Sequence, residues 1–144
     1  MTGGDSLLEL VEVMRRLRVE CAWKAEQTPE SLLPYLREEA DELVEAIGFG
    51  DPAHICEELG DVLLQVVFHA AIAEERGEFT MDDVAAGLVA KLRRRNPHVF
   101  DPASIGRGPH DAPLTAVEVD EIWQQVKRTE VKTAGAPRGT SGGP

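Results

Sequence analysis

Apolar residues recur along this chain at intervals of three and four, the period of helices with one covered face. Runs of β-branched residues bounded by turn signals, the mark of strands, are almost missing. Leu7, Leu10, Val11, Met14 and Leu17 form the first stripe, with Ser6 placed to cap the helix that carries them. Cys21 to Thr28 reads as a loop. A second helix then starts near Pro29 or Ser31 and buries Leu36, Ala40, Leu43, Val44 and Ile47 before Gly48 and Gly50 end it. Asp51 and Pro52 suit the cap and first position of a third helix, which runs to about Arg76 and stops at Gly77. From Val62 onward this helix is apolar on nearly every side, the sign of a helix covered all round. A chain of 144 residues has difficulty covering it alone, so a homodimer or homotetramer is expected.

Thr80 followed three residues later by Asp83 resembles a capping box and opens a fourth helix, with Val84, Leu88, Val89 and Leu92 as its inner stripe. Asn96-Pro97 terminates it. Phe100 to Pro113 reads as a loop, and a last helix covers about Leu114 to Val131, with Thr115 and Glu118 as a second capping box. The expected architecture is all-α, a bundle of four to five helices in one domain over residues 1–132. The Gly-, Ser- and Pro-rich residues 133–144 are expected to be a disordered tail.

Composition narrows the chemistry. Aromatics are only 5%, so the core must come from Leu, Val, Ile and Ala, which suits helix packing. A net charge of -11 argues against binding to a nucleic-acid polymer, which needs Lys and Arg to neutralise phosphates. It leaves room for a small phosphorylated molecule if a divalent cation stands between the two negative partners. Cys21 and Cys56 have no metal-type spacing, and a reducing, cytoplasmic setting is expected. Met1 to Glu12 lacks a basic region followed by an apolar stretch, so no signal peptide is expected. The apolar segment Val62 to Ala73 is too short to span a membrane.

Two carboxylate clusters carry the candidate chemistry: Glu38-Glu39-x-x-Glu42 on the second helix and Glu58-x-x-Asp61 on the third. Residues three apart share a helix face, separated by about 4.5 Å of rise. Glu39 with Glu42, and Glu58 with Asp61, can therefore each converge on a point. If the two helices pack antiparallel, all four carboxylates can meet in an all-oxygen site suited to Mg²⁺ or Mn²⁺. A solvated acidic surface is the bland alternative. Against it, Glu39 flanks the apolar stripe, and Asp61 leads directly into the apolar run Val62-Leu63-Leu64. Gly60 has no propensity reason to sit in mid-helix, and close packing or the approach of a ligand would account for it.

These clusters and their surroundings resemble the MazG family of all-α nucleoside triphosphate pyrophosphohydrolases. Trp23, Glu26-Gln27-Thr28, Glu58-Leu59-Gly60-Asp61, Gln65-Val66-Val67-Phe68 and Arg94-Arg95-Asn96-Pro97-His98-Val99-Phe100 follow the family's order over about residues 7 to 130. The resemblance implies Mg²⁺-dependent hydrolysis of an NTP or dNTP between the α- and β-phosphates, in a cell's clearance of aberrant nucleotides. Glu39, Glu42, Glu58 and Asp61 would ligate the metal and one carboxylate would activate water. Glu38, pointing nearly opposite to Glu39, would act from outside the ligand set or at an oligomer contact.

The resemblance also implies phosphate contacts from Lys91, Arg95 and Lys127, with Trp123 stacking on the base or covering the site; the alternatives are cations complementing a helix dipole at the end of the fourth helix and plain core packing for Trp123. Trp23 and Gln27 would shape the base pocket. Where the family often reads Cys-Pro-Trp-Asp-x-Glu-Gln-Thr, this chain has Ala22, Lys24 and Ala25, so the nucleotide preference does not carry over. The family often carries two tandem domains; one copy of the pattern is present here and is expected to work as an oligomer or not at all. A related dUTP or phosphoribosyl-ATP pyrophosphohydrolase is the nearest rival, although the NPHVF segment and the Trp123–Lys127 pair favour MazG. A non-catalytic nucleotide-binding regulatory module is the rival from another class. A di-metal oxidase bundle is disfavoured because Glu-x-x-His pairs are missing from both carboxylate helices. His69 is expected to be a hydrogen-bonded interior residue and His98 to fix a turn.

Overall fold

The computed structural model describes residues 4–130, and every regular element among them is helical. The expected disorder of residues 133–144 lies outside the described residues. In order the elements are α1 (Asp5–Glu20), α2 (Ala22–Glu26), α3 (Pro29–Phe49), α4 (Pro52–Glu75), α5 (Met81–Arg95), α6 (Pro97–Phe100), a 3-10 turn (Pro102–Ile105) and α7 (Ala116–Thr129). They form two compact units, one ending at Val84 and the other beginning at Ala85. No described helix is long and apolar enough to cross a membrane.

In the first unit, α3 and α4 form a helical hairpin turned on Gly50, which takes the left-handed conformation at φ +80° and ends α3. Asp51 then caps α4 by accepting from the Ala53 N–H, with Pro52 at the first helical position. The core is Met14 of α1, Leu32 of α3, and Val67, Phe68, Ala71 and Ile72 of α4, with Leu10, Val11, Leu63, Leu64 and Met81 packed around it. Arg15 and Arg18 of α1 reach Glu74 and Glu75 at the far end of α4, so charged groups close the rim of this core.

Several boundaries and faces differ from the sequence reading. Ser6 lies inside α1, whose cap is Gly4 without a side-chain bond; Asp5 instead supplies negative charge in the first turn, where it complements the helix dipole. Part of the expected Cys21–Thr28 loop is the short helix α2, in which Ala22, Lys24, Ala25 and Glu26 are all good helix formers. Thr28 caps α3 in a reciprocal box with Ser31, and Gly48 lies within the helix.

The inward stripe of α3 is also displaced. Leu32 and Ala46 are buried and Leu36, Glu39 and Leu43 half-buried, whereas Ala40, Val44 and Ile47 are exposed on this chain. α4 is largely covered beyond Val62, as expected, with Val66 as an exposed apolar exception, and Leu59 before that stretch is exposed as well. Leu7 is likewise exposed on α1.

In the second unit, the remaining turns of α5 lead through α6 and the 3-10 turn to α7. The predicted Thr80–Asp83 box, which belongs to the first unit, opens α5, and the Thr115–Glu118 box of the second unit opens α7. The expected loop from Phe100 to Pro113 is partly helical, because Pro97 and Pro102 each start a short turn whose first N–H is not required. Leu88, Val89 and Leu92, read as an inner stripe, are exposed on this chain. Trp123 is buried, and the Arg95 guanidinium lies over its ring with 5.2 Å to the centroid.

Candidate metal centre and nucleotide-contact residues

Because Glu39 belongs to the inward stripe of α3, it faces α4 instead of water. Glu42, one turn on, follows it, and the α3–α4 hairpin brings Glu58 and Asp61 of α4 opposite both. One oxygen from each of Glu39, Glu42, Glu58 and Asp61 lies within 4.8 Å of the others. Glu42 is exposed and the other three are half-buried. Glu38 is exposed and lies outside this cluster.

Four carboxylates this close repel one another, and burial removes the water that would screen them. The Glu39 carboxyl is raised above the usual glutamate range, first by burial and then by the charges of Glu42 and Asp61. Glu58 is raised for the same reasons in the same order, partly offset by a hydrogen bond from His54. Glu39 Oε2 and Glu58 Oε2 are buried without a hydrogen-bond partner among the described residues. Hard oxygen donors, excess negative charge and two buried acceptors without donors fit a divalent cation such as Mg²⁺ or Mn²⁺. Within this chain a Cβ at Gly60 would meet no atom within 4 Å, so no neighbour on the same chain demands a glycine there.

Trp23 and Gln27 flank the start of α3. The Trp23 ring is half exposed, meets Tyr35 edge-on at 5.6 Å between centroids, and carries the Lys24 ammonium at 5.4 Å. The Gln27 amide donates to the Trp23 carbonyl at 2.9 Å and accepts from the Ser31 hydroxyl at 2.7 Å. Tyr35 precedes Glu39 by four residues, which sets the aromatic pair one turn of α3 before the carboxylates.

In the second unit, Trp123 is the centre of the basic group. Arg95 lies over its ring and Lys127 stands at 4.9 Å from the centroid. Arg95 is buried and bonded to Glu130, to which Arg94 also donates. Lys91 is half-buried on α5.

Sequence reasoning missed three participants. His54 and Tyr35 sit four residues from Glu58 and Glu39, a spacing that could have found them, whereas nothing in the local sequence links Glu130 to Arg95. His69 Nε2 and His98 Nδ1 are buried without a hydrogen-bond partner among the described residues.

Residues 27–100 match the family model described as the MazG nucleotide pyrophosphohydrolase domain. The nucleoside triphosphate pyrophosphohydrolase/pyrophosphatase MazG of Thermotoga maritima is 58% identical over 100 residues, covering 68% of this chain and 39% of that protein. A nucleoside triphosphate pyrophosphohydrolase of Mycobacterium tuberculosis is 43% identical over 132 residues, covering 90% of this chain and 41% of that protein. Among solved structures, a mazG-related protein from Thermotoga maritima superposes with a TM-score of 0.68 at 26% identity, over 84% of this chain and 98% of that one. The chain spans between 24% and 56% of the length of the curated relatives it matches.

Proposed function

The chain belongs to the MazG nucleotide pyrophosphohydrolase domain family, and from that premise we propose that it hydrolyses NTPs or dNTPs between the α- and β-phosphates, releasing the monophosphate and pyrophosphate. The observation that carries this reading is the convergence of Glu39, Glu42, Glu58 and Asp61 within 4.8 Å. These four residues would hold Mg²⁺, with Mn²⁺ as a substitute. When bound, such a cation offsets the charge of the triphosphate and lowers the pKa of the attacking water.

One carboxylate of the cluster takes a proton from the water as its oxygen attacks the α-phosphorus. The bond from that phosphorus to the bridging oxygen breaks, and the electron pair leaves with pyrophosphate. Glu38, outside the cluster, serves at an oligomer contact or behind the ligands. Trp23 and Gln27 border the nucleoside. Lys91, Arg95 and Lys127 are assigned to phosphate on the family pattern, with the Arg95–Glu130 pair orienting the guanidinium; Trp123, buried against Arg95 and Lys127, serves as the packing support of those two side chains and not as a base stack. Clearance of aberrant nucleotides in the cytoplasm completes the reading, and the two free cysteines are compatible with that compartment.

A homodimer or homotetramer belongs to the same proposal. Leu33, Val44 and Ile47 on α3, with Leu59 and Val66 on α4, leave apolar surface exposed on the helices that carry the carboxylates. A second copy of this chain is the occupant that would cover it, and light scattering on the purified protein reads the mass directly.

The function is tested by pyrophosphate release from a panel of canonical and modified NTPs and dNTPs, including dUTP and phosphoribosyl-ATP, with Mg²⁺, Mn²⁺ or EDTA. Metal-dependent release with a monophosphate product is expected, and Asp61→Asn and Glu42→Gln should abolish it while keeping the helical fold. Release confined to dUTP or phosphoribosyl-ATP would replace the broad reading with one of those enzymes. No release from folded protein with any nucleotide would overturn catalysis in favour of a nucleotide-binding regulatory module.

A further inference from the structure

We propose that His54 is a positioning residue of the carboxylate centre, holding Glu58 by one oxygen so that the other stays turned toward the cation. This inference rests on the metal-centre reading above. His54 lies in the first turn of α4, one turn before Glu58, and its Nε2 stands 3.3 Å from Glu58 Oε1. The remaining oxygen, Oε2, is buried and has no hydrogen-bond partner among the described residues. The two oxygens of one carboxylate thus differ: one faces an imidazole and the other is buried with no donor among the described residues.

The exposure of the two side chains supports the same division. The Glu58 side chain is 12% exposed and that of His54 is 43% exposed, so the ring lies at the rim with the carboxylate beneath it. An N–H donated from Nε2 to Oε1 restricts the rotamers of a flexible glutamate and leaves the lone pairs of Oε2 undivided. Metal-ligating carboxylates commonly depend on such a partner for their orientation. Glu39 also keeps one buried oxygen without a donor, but its neighbours in the cluster are carboxylates. Glu58, by contrast, has an N–H-bearing side chain in reach one turn away on its own helix. An ordinary exposed pair on a helix surface would alter stability slightly and leave cation binding untouched.

Calorimetric titration of the whole chain with Mn²⁺ and with Mg²⁺ separates these cases, using the wild type, His54→Ala and His54→Gln. Glutamine keeps an N–H donor at similar reach, and the exposed position makes both variants compatible with the helix. His54→Ala is expected to weaken cation binding by roughly 10- to 100-fold, with His54→Gln recovering most of the loss and the metal-free Tm nearly unchanged. In turnover, His54→Ala raises the cation concentration needed for half-maximal rate, while kcat at saturating cation stays within a few-fold. Wild-type affinity in His54→Ala overturns the proposal, as does a His54→Gln variant as weak as alanine. A wild type that binds neither cation overturns the metal-centre reading itself, and is told apart because it needs no variant.

Discussion

The Nε of Arg95, in the last turn of α5, donates to Glu130 Oε1 at 3.1 Å, which joins two residues thirty-five positions apart. Both side chains are largely removed from water, at 6% and 10% exposure. The hydrogen bond from Arg95, helped by Arg94, holds the Glu130 carboxyl at about 2, against an ordinary 4.5. A carboxylate with a lowered folded-state pKa favours the folded state above its unfolded value and loses that contribution as pH falls through the folded one. Glu130→Gln should therefore cost roughly 2 kcal/mol at pH 7, below the range for a fully buried pair. Measured by urea unfolding, the gap between wild type and variant should narrow steadily from about pH 5 toward pH 3. A gap that stays constant over this interval would mean that Glu130 acts by packing and not by charge.

The carboxylate centre has the opposite sign. Burial and the charges of Glu42 and Asp61 raise the Glu39 carboxyl, so at neutral pH and without cation the site opposes folding. Glu39→Gln is expected to raise the metal-free Tm by a few degrees while abolishing turnover, the pattern of a site that trades stability for function. Wild-type protein should gain Tm with added Mg²⁺, by about 2.7 kcal/mol of stabilisation at one hundred times Kd, and the variant should gain far less. A variant that is less stable without metal, or that keeps the full Mg²⁺ response, would remove Glu39 from the ligand set.

The parts of this architecture legible in the sequence are those decided locally. Thr80 with Asp83, Thr115 with Glu118, and Asp51 with Pro52 each satisfy exposed helix-end N–H groups within a few residues, and each forms as read. The carboxylate convergence was legible for a related reason: two i, i+3 pairs and a short hairpin leave the four groups few ways not to meet. What the sequence left ambiguous was the choice between competing apolar faces. Helix α3 carries one stripe through Leu32, Leu36, Leu43 and Ala46 and another through Leu33, Ala40, Val44 and Ile47, and α4 covers the first. Hydrophobicity alone cannot rank them, since each has three large apolar residues and one alanine, with Glu39 interrupting the first and Arg37 the second. The engagement of Arg95 by Glu130 was hidden for a different reason, because a pair so distant in sequence leaves no periodic trace.

Trp23 offers a test of how the nucleoside is held. Its ring is 46% exposed, too open for a core residue, yet Tyr35 meets it edge-on at 5.6 Å and Gln27 donates to its backbone carbonyl. An edge-on neighbour steadies an indole without occupying its whole face, and the Lys24 ammonium at 5.4 Å adds positive charge beside it. Such a platform stacks a base of any identity, so its loss should appear in binding more than in chemistry. Trp23→Ala is expected to raise KM for the preferred nucleotide by roughly 10- to 100-fold, the worth of one base stack, with kcat within a few-fold of wild type. Trp23→Phe should retain much of the affinity, because a smaller aromatic face remains. Steady-state kinetics paired with a melting curve distinguishes the outcomes. A Tm loss with unchanged KM would make Trp23 a packing residue beside Tyr35, and the base would then have to be held elsewhere.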